Sequence, residues 1–258
     1  AGINVLARHS GCEVRVVDVG VAVPLEIEGV IGRKVRPGTA NIAEGPAMTR
    51  DEAAAAVEAG IEVAEAEIAA GADLLGTGDM GIGNTTPSSA ILTVFSGAAT
   101  ELTVGRGTGI GTDAMAHKRD VVQRAIAVNQ PDAGDGLDVL SKVGGLEIGG
   151  LAGVILGAAA GRVPVVIDGF ISSAAAMVAA SLAPGSKSYM IASHVSVEPG
   201  HKLMLEELGL KPMLFMDMRL GEGTGAALAA SLVEAAAKVI CEMATFAEAG
   251  VAESEEKV

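Results

Sequence analysis

The chain has no tryptophan, one tyrosine and four phenylalanines in 258 residues. So few flat rings argue against a platform on which nucleobases could stack. Basic residues are also scarce. Against 32 Asp and Glu stand 18 Lys and Arg, a net charge of −14, so no cationic excess exists to displace counterions from nucleic acid. The four histidines form no H-E-x-x-H and no close pair, which argues against a zinc site. Cys12 and Cys241 stand alone, with no C-x-x-C. Lone thiols suit a reducing cytoplasm and are expected here as buried fillers. The longest apolar run, Ile148–Gly161, is too short and too rich in glycine to span a bilayer. No signal-peptide pattern is visible.

Glycine is abundant, at 35 residues, in a chain that is 50% hydrophobic. That is enough apolar material for one large core or a core with an appendage. Four of the glycines fall in Gly76–Ala90, G-T-G-D-M-G-I-G-N-T-T-P-S-S-A. An apolar run, Ala72–Leu75, precedes this stretch and reads as a strand. Another, Ala90–Phe95, continues it as a helix, with Thr86 expected at the N-cap and Pro87 at the first helical position. Free N–H groups of a glycine loop and a helix start favour an anion. Asp79 inside such a loop is costly unless it binds a hydroxyl or an N–H. Three structural readings compete. Gly76-x-Gly78-x-x-Gly81 matches a dinucleotide fingerprint with Glu101 near the downstream distance, though no strand pattern ends there. A phosphate P-loop fails for want of a Lys-Ser or Lys-Thr. A plain tight turn remains open.

In chain order, Ile3–His9 reads as the tail of a helix ended near Gly11, and Glu13–Val21 as a strand with Asp18 near its end. Pro24–Pro46 reads as a long loop carrying Arg33-Lys34-Val35-Arg36. Thr49-Arg50-Asp51-Glu52 is a capping box, followed by a helical face of Val57, Ile61, Ala64 and Ile68 ending at Gly71. Three more units repeat the strand–loop–helix order. Val163–Ile167, a strand buried on both faces, leads through Asp168 and Ser172-Ser173 into Ala174–Leu182. Tyr189–Ala192 leads to Ser196. Met213–Met218 leads to Glu222 and a helix faced by Leu228, Leu232, Ala235 and Val239. A second glycine loop, Gly105–Thr112, precedes Lys118 and Arg119, the best local cations for a phosphate. Leu137–Gly161 reads as a close-packed helical region containing Glu147, and Glu253–Lys257 as a frayed tail. The alternation predicts an α/β fold, a parallel Rossmann-like sheet flanked by helices. Ligands of such sheets bind beyond the carboxyl ends of the strands, an edge that would carry Asp79, Asp168, Ser196 and Glu222.

The ordered set G-D-M-G-I-G-N-T-T-P-S-S-A, G-R-G-T-G, V-P-V-V-I-D-G-F-I-S-S-A-A-A, I-A-S-H-V-S-V-E-P-G-H and R-L-G-E-G-T-G-A-A-L-A resembles nicotinate-nucleotide–dimethylbenzimidazole phosphoribosyltransferases over essentially the whole chain. The resemblance implies transfer of phosphoribose from nicotinate mononucleotide to a benzimidazole, giving α-ribazole phosphate and nicotinate in the making of the cobalamin lower nucleotide. It implies no metal or cofactor, a cytoplasmic homodimer, and neither nucleic acid nor membrane as partner. It carries the general base onto Glu222, with Gly223 beside it in G-E-G-T-G. Asp79 takes the place of the family's loop acid, commonly Glu. Gly81, Gly83, Asn84 and Thr85 match the phosphate and ribose cradle, Lys118 a phosphate-binding lysine, and Asp168 and Ser196 positions near the nucleotide. It also divides the chain. Residues 1–12 would be a remnant of a small helical domain, 13–225 a large α/β domain with the active site, and 226–258 the C-terminal helix of the small domain. The family carries a segment before the position of Ala1, so a fragment is expected, and with it the alternative of ligand binding without catalysis. An NAD-dependent oxidoreductase built on Gly76–Gly81 is the other alternative.

Overall fold

The computed structural model describes residues 1–107, 109 and 111–250. Thr108 and Ile110 of the second glycine loop and the tail Glu253–Lys257 lie outside the described residues. The chain opens with helix α1 (Gly2–Ser10), closed by Gly11 at φ 68°. Strands β1 (Val16–Asp18) and β2 (Val30–Gly32) pair in parallel. The strand expected over Glu13–Val21 is therefore three residues long, because only those find a partner. That partner lies inside the expected loop Pro24–Pro46. Helix α2 (Arg50–Ala69) starts at the capping box, with Thr49 and Glu52 each accepting the other's backbone N–H.

Strand β3 (Leu75–Gly76), helix α3 (Thr85–Ser96), the short helix α4 (Thr100–Thr103), and helices α5 (Thr112–Asn129), α6 (Gly136–Val143) and α7 (Leu146–Ala160) follow. Then come β4 (Val165–Ile167), α8 (Phe170–Leu182), β5 (Met190–Ala192), β6 (His194–Ser196), α9 (Pro199–Leu208), β7 (Leu214–Met218) and α10 (Thr224–Glu242). The strands form not one continuous sheet but three parallel ladders, β1-β2, β3-β4-β5 and β6-β7. Ser193 separates β5 from β6 yet keeps the ladders in line. Its N–H donates to the Ile167 carbonyl at 3.0 Å, and its carbonyl accepts from Leu214 at 2.9 Å. The carboxyl ends of β3, β4, β6 and β7 thus lead into the loops of Asp79, Asp168, Ser196 and Glu222.

The tightest helix contact is α7 against α2. A Cβ on Gly60 would fall on the Gly150 carbonyl and one on Gly153 on the Val57 carbonyl. Glycine lets the two backbones touch there, and most of α7 is buried as a result. The other end of the molecule differs. Helix α10 packs its first turns, through Ala226 and Ala229, against Val166 of β4 and also lies along α1. Beyond Val233 it is exposed, with Val239 and Ile240 at 52% and 84%. This helix, not Ile148–Gly161, is the one among the described residues long and apolar enough to cross a membrane. Cys241 on it is exposed and Cys12 half-buried. The expected buried role therefore fails for Cys241, because the outer half of α10 has no layer packed over it.

Candidate active site

The Gly76–Ala90 loop turns on its glycines, with one change from expectation at the helix start. Gly81 and Gly83 adopt φ of 79° and 81°, values that L side chains resist. Helix α3 begins at Thr85, one residue before the expected cap, with Asn84 at the N-cap and no side-chain capping bond. The Asn84 amide is used elsewhere. The Asp79 carboxylate accepts from the Gly81 N–H and from Asn84 Nδ2, both at 2.7 Å. The costly acid of the loop is thereby satisfied within the loop. A dinucleotide fingerprint needs its glycines to run straight into a helix. Here Gly81 is spent on Asp79, α3 starts three residues after Ile82, and Glu101 sits exposed in α4 rather than at a strand end.

The Glu222 loop is pinned against this one. The Glu222 N–H donates to the Asp79 carbonyl at 2.8 Å. A Cβ on Gly78 would lie 2.6 Å from both N and Cα of Gly223. Glu222 itself takes φ 62° between Gly221 and Gly223, also at positive φ, a conformation that costs a non-glycine residue roughly 1–2 kcal/mol. Its Oε2 accepts the Ile3 N–H of α1 at 3.1 Å. Beneath it, the Asp168 carboxylate receives the N–H groups of Gly223, Gly225 and Ala226 at 3.1, 2.8 and 3.2 Å. Asp168 is 2% exposed. Burial pushes its carboxyl up, against the pull of His194 and those donors. It holds the start of α10, and with it Glu222, from behind.

Ser196 is likewise held from behind. Its N–H donates to His201 Nδ1 at 2.9 Å, and His201 Nε2 meets Ser173 Oγ at 2.9 Å. Burial drives the His201 pKa down to about 3, so the ring is neutral and Nδ1 can accept. Asp79, Glu222 and Gly223 line one cleft of about 850 Å³. Gly81, Gly83, Thr85 and Lys118 line an adjacent hollow of about 320 Å³ together with Arg106 and His117. Asn84 joins the two through Asp79. Asp168 and Ser196 line neither space.

Lys118, on α5, is 9% exposed. Its Nζ donates to Thr85 Oγ1 at 2.7 Å and to the Gly105 carbonyl at 3.1 Å. Burial pushes its pKa down and Glu198 pulls it back up. A desolvated ammonium beside a glycine turn suits a small anion. Arg119, its neighbour, has Nε buried without a partner among the described residues. Among the described residues no group of three or more His, Cys, Asp or Glu is placed to hold a metal ion.

Sequence reasoning gave Glu147 no role at the site. It lines the same cleft as Asp79 and Glu222, and its Oε1 accepts from Asn84 Nδ2 at 3.3 Å. The available signal was that Glu147 is the one charged residue between Val143 and Gly161.

A family model described as "Phosphoribosyltransferase" matches residues 1–251. A nicotinate-nucleotide–dimethylbenzimidazole phosphoribosyltransferase of Desulforamulus reducens is 62% identical over 252 residues, 97% of this chain and 72% of that protein. One of Dehalococcoides mccartyi is 57% identical over 99% of this chain and 73% of its own length. The crystal structure of CobT from Thermus thermophilus superposes with a TM-score of 0.93 at 48% identity, covering 98% of this chain and 76% of that one.

Proposed function

We propose a division of labour for these residues from one premise: the chain belongs to the nicotinate-nucleotide–dimethylbenzimidazole phosphoribosyltransferase family. Its reaction is transfer of phosphoribose from nicotinate mononucleotide to 5,6-dimethylbenzimidazole, giving α-ribazole 5′-phosphate and nicotinate for the cobalamin lower nucleotide. The observation that carries this reading is the joining of the Asp79 and Glu222 loops beside a hollow holding Lys118.

Nicotinate leaves as its pyridinium nitrogen takes the C1′–N bonding pair, which neutralises the ring and needs no acid. One benzimidazole nitrogen attacks C1′ from the opposite face, inverting β to α. The other nitrogen loses its proton to Glu222. General-base help of this kind contributes about 10²–10⁴-fold. Gly81, Gly83, Thr85 and Lys118 hold the phosphate, and Asp79 with Asn84 faces the ribose. Gly223 leaves room for the planar base beside Glu222. Asp168 and Ser196 are positioning residues behind these groups. No metal enters, since the leaving group carries no pyrophosphate.

The protein acts on small molecules as a cytoplasmic homodimer, without nucleic acid or membrane. Supporting a second copy, Met80, Ile82 and Leu220 stand exposed on the loops that carry Asp79 and Glu222. The net charge of −14 disfavours nucleic acid. Helices α1 and α10 together make the small helical unit at the chain ends. Incubation with nicotinate mononucleotide and 5,6-dimethylbenzimidazole, read by chromatography and mass spectrometry, should yield α-ribazole 5′-phosphate and nicotinate in equal amounts. Binding of both substrates without product would favour the non-catalytic alternative. Binding of NAD in place of nicotinate mononucleotide would favour the oxidoreductase.

A further inference from the structure

We propose that Glu147 is a positioning residue for this transfer: by accepting an Asn84 amide proton, its carboxyl holds the Asp79–Thr85 turn in the form that receives the ribose phosphate. The proposal rests on the function just given. Asn84 is 7% exposed, and its Nδ2 spans Asp79 Oδ1 at 2.7 Å and Glu147 Oε1 at 3.3 Å. Its Oδ1 is buried with no partner among the described residues. Two acceptors on the Nδ2 side fix the amide's orientation. Glu147 lies in the first turn of α7, after Gly145 at the N-cap, and its carboxyl folds over that helix start.

The groups facing Glu147 are mostly acidic. Asp79 comes from the loop after β3, and Glu222 and Glu234 line the cleft from the α10 side. Glu67 of α2 and Glu13 are taken by Arg15 at the outer rim. Asp168, after β4, is turned to the α10 start. No ion pair to Glu147 forms among the described residues. Burial, reinforced by Asp79, pushes its pKa up, and two close carboxylates cannot both ionise cheaply. The neutral carboxyl therefore prevails below that raised value. As pH climbs through it, a second negative charge arises beside Asp79 and near the phosphate hollow, and nicotinate mononucleotide binds less well.

The test is calorimetric affinity for nicotinate mononucleotide, with kcat and KM, across mildly acidic to alkaline pH in the whole chain. Glu147→Gln keeps the acceptor but cannot ionise. It should bind like the parent at the low-pH end of the series and lose less affinity as pH rises. The contribution of Lys118 is common to both proteins and cancels in the comparison. Glu147→Ala leaves an amide proton unpaired and should raise KM about fivefold at the low-pH end, where the parent's carboxyl is neutral, the worth of one neutral hydrogen bond, with a smaller change in kcat. A Gln variant with the parent's full loss as pH rises, or an Ala variant with unchanged KM at the low-pH end, overturns the proposal. A parent that neither binds nor turns over nicotinate mononucleotide overturns the function beneath it, and this proposal with it.

Discussion

The two corners of the site are built by opposite means. In the cleft, Asp79, Glu147 and Glu222 are acceptors, each held by N–H groups of the protein: Gly81 and Asn84 for Asp79, Asn84 for Glu147, and Ile3 for Glu222. In the hollow, Lys118 is a donor held by two oxygens, and its charge is carried into a buried setting. The first corner is suited to taking a proton and the second to holding an anion. An acidic chain can bind a phosphorylated substrate only if it separates these tasks, and the shared wall is the single turn from Asp79 to Thr85.

Breaking the acceptor corner should cost most. Glu222→Gln keeps the shape and hydrogen-bonding capacity of the side chain but removes the proton acceptor. Steady-state kinetics should show kcat lower by about 10²–10⁴-fold, with benzimidazole binding retained. A Gln variant at the parent rate would move the base to Asp79. Gly78→Ala attacks the same corner without touching a carboxylate. Its methyl group would be driven into Gly223 at 2.6 Å and separate the two loops. A displacement near 1 Å costs on the order of 10²-fold in rate, so kcat should fall while the phosphate hollow still binds nicotinate mononucleotide.

The donor corner should respond in affinity rather than rate. Lys118→Ala removes a charge-assisted bond, and KM for nicotinate mononucleotide should rise roughly 10–100-fold. Benzimidazole binding, measured separately, should change much less; equal losses for both ligands would dissolve the distinction between the corners. The smallest effect expected is on pH dependence. The Lys118 pKa is lowered by burial, so its ammonium is present below that value and lost as pH rises through it, sooner than for an exposed lysine. Affinity for the nucleotide should decline at alkaline pH in the parent. In Lys118→Arg, whose guanidinium keeps its proton, the Lys118 share of that decline should vanish, whatever the variant's affinity at neutral pH.

Much of this was legible in the sequence because it is local. The Thr49–Glu52 capping box is complete within four residues. The glycines at 81 and 83 announce the positive φ they adopt. Repeated strand–loop–helix units place four polar residues after strand ends, since successive crossovers of one hand bring those ends to one edge. The misses are long-range. Nothing near Thr86 says that Asn84 will spend its amide on Asp79 and begin the helix two residues early. Nothing near residue 190 says that the ladder will break at Ser193.

The sequence by itself determined the family and the parallel α/β class, and it named most of the candidate residues that line the cleft and the hollow, through turn chemistry, capping and spacing that act over a few residues. Tertiary structure decided how those residues divide. Asp168 and Ser196 share the strand-end edge with Asp79 and Glu222, yet they lie behind the cleft, because the N–H groups at the start of α10 and the neutral ring of His201 claim them. Glu147 enters the site because glycines 60, 150 and 153 let α7 settle against α2, and its helix start then reaches Asn84. That contact joins residues 63 apart in the chain, and only the packing of the helices between them could have chosen it.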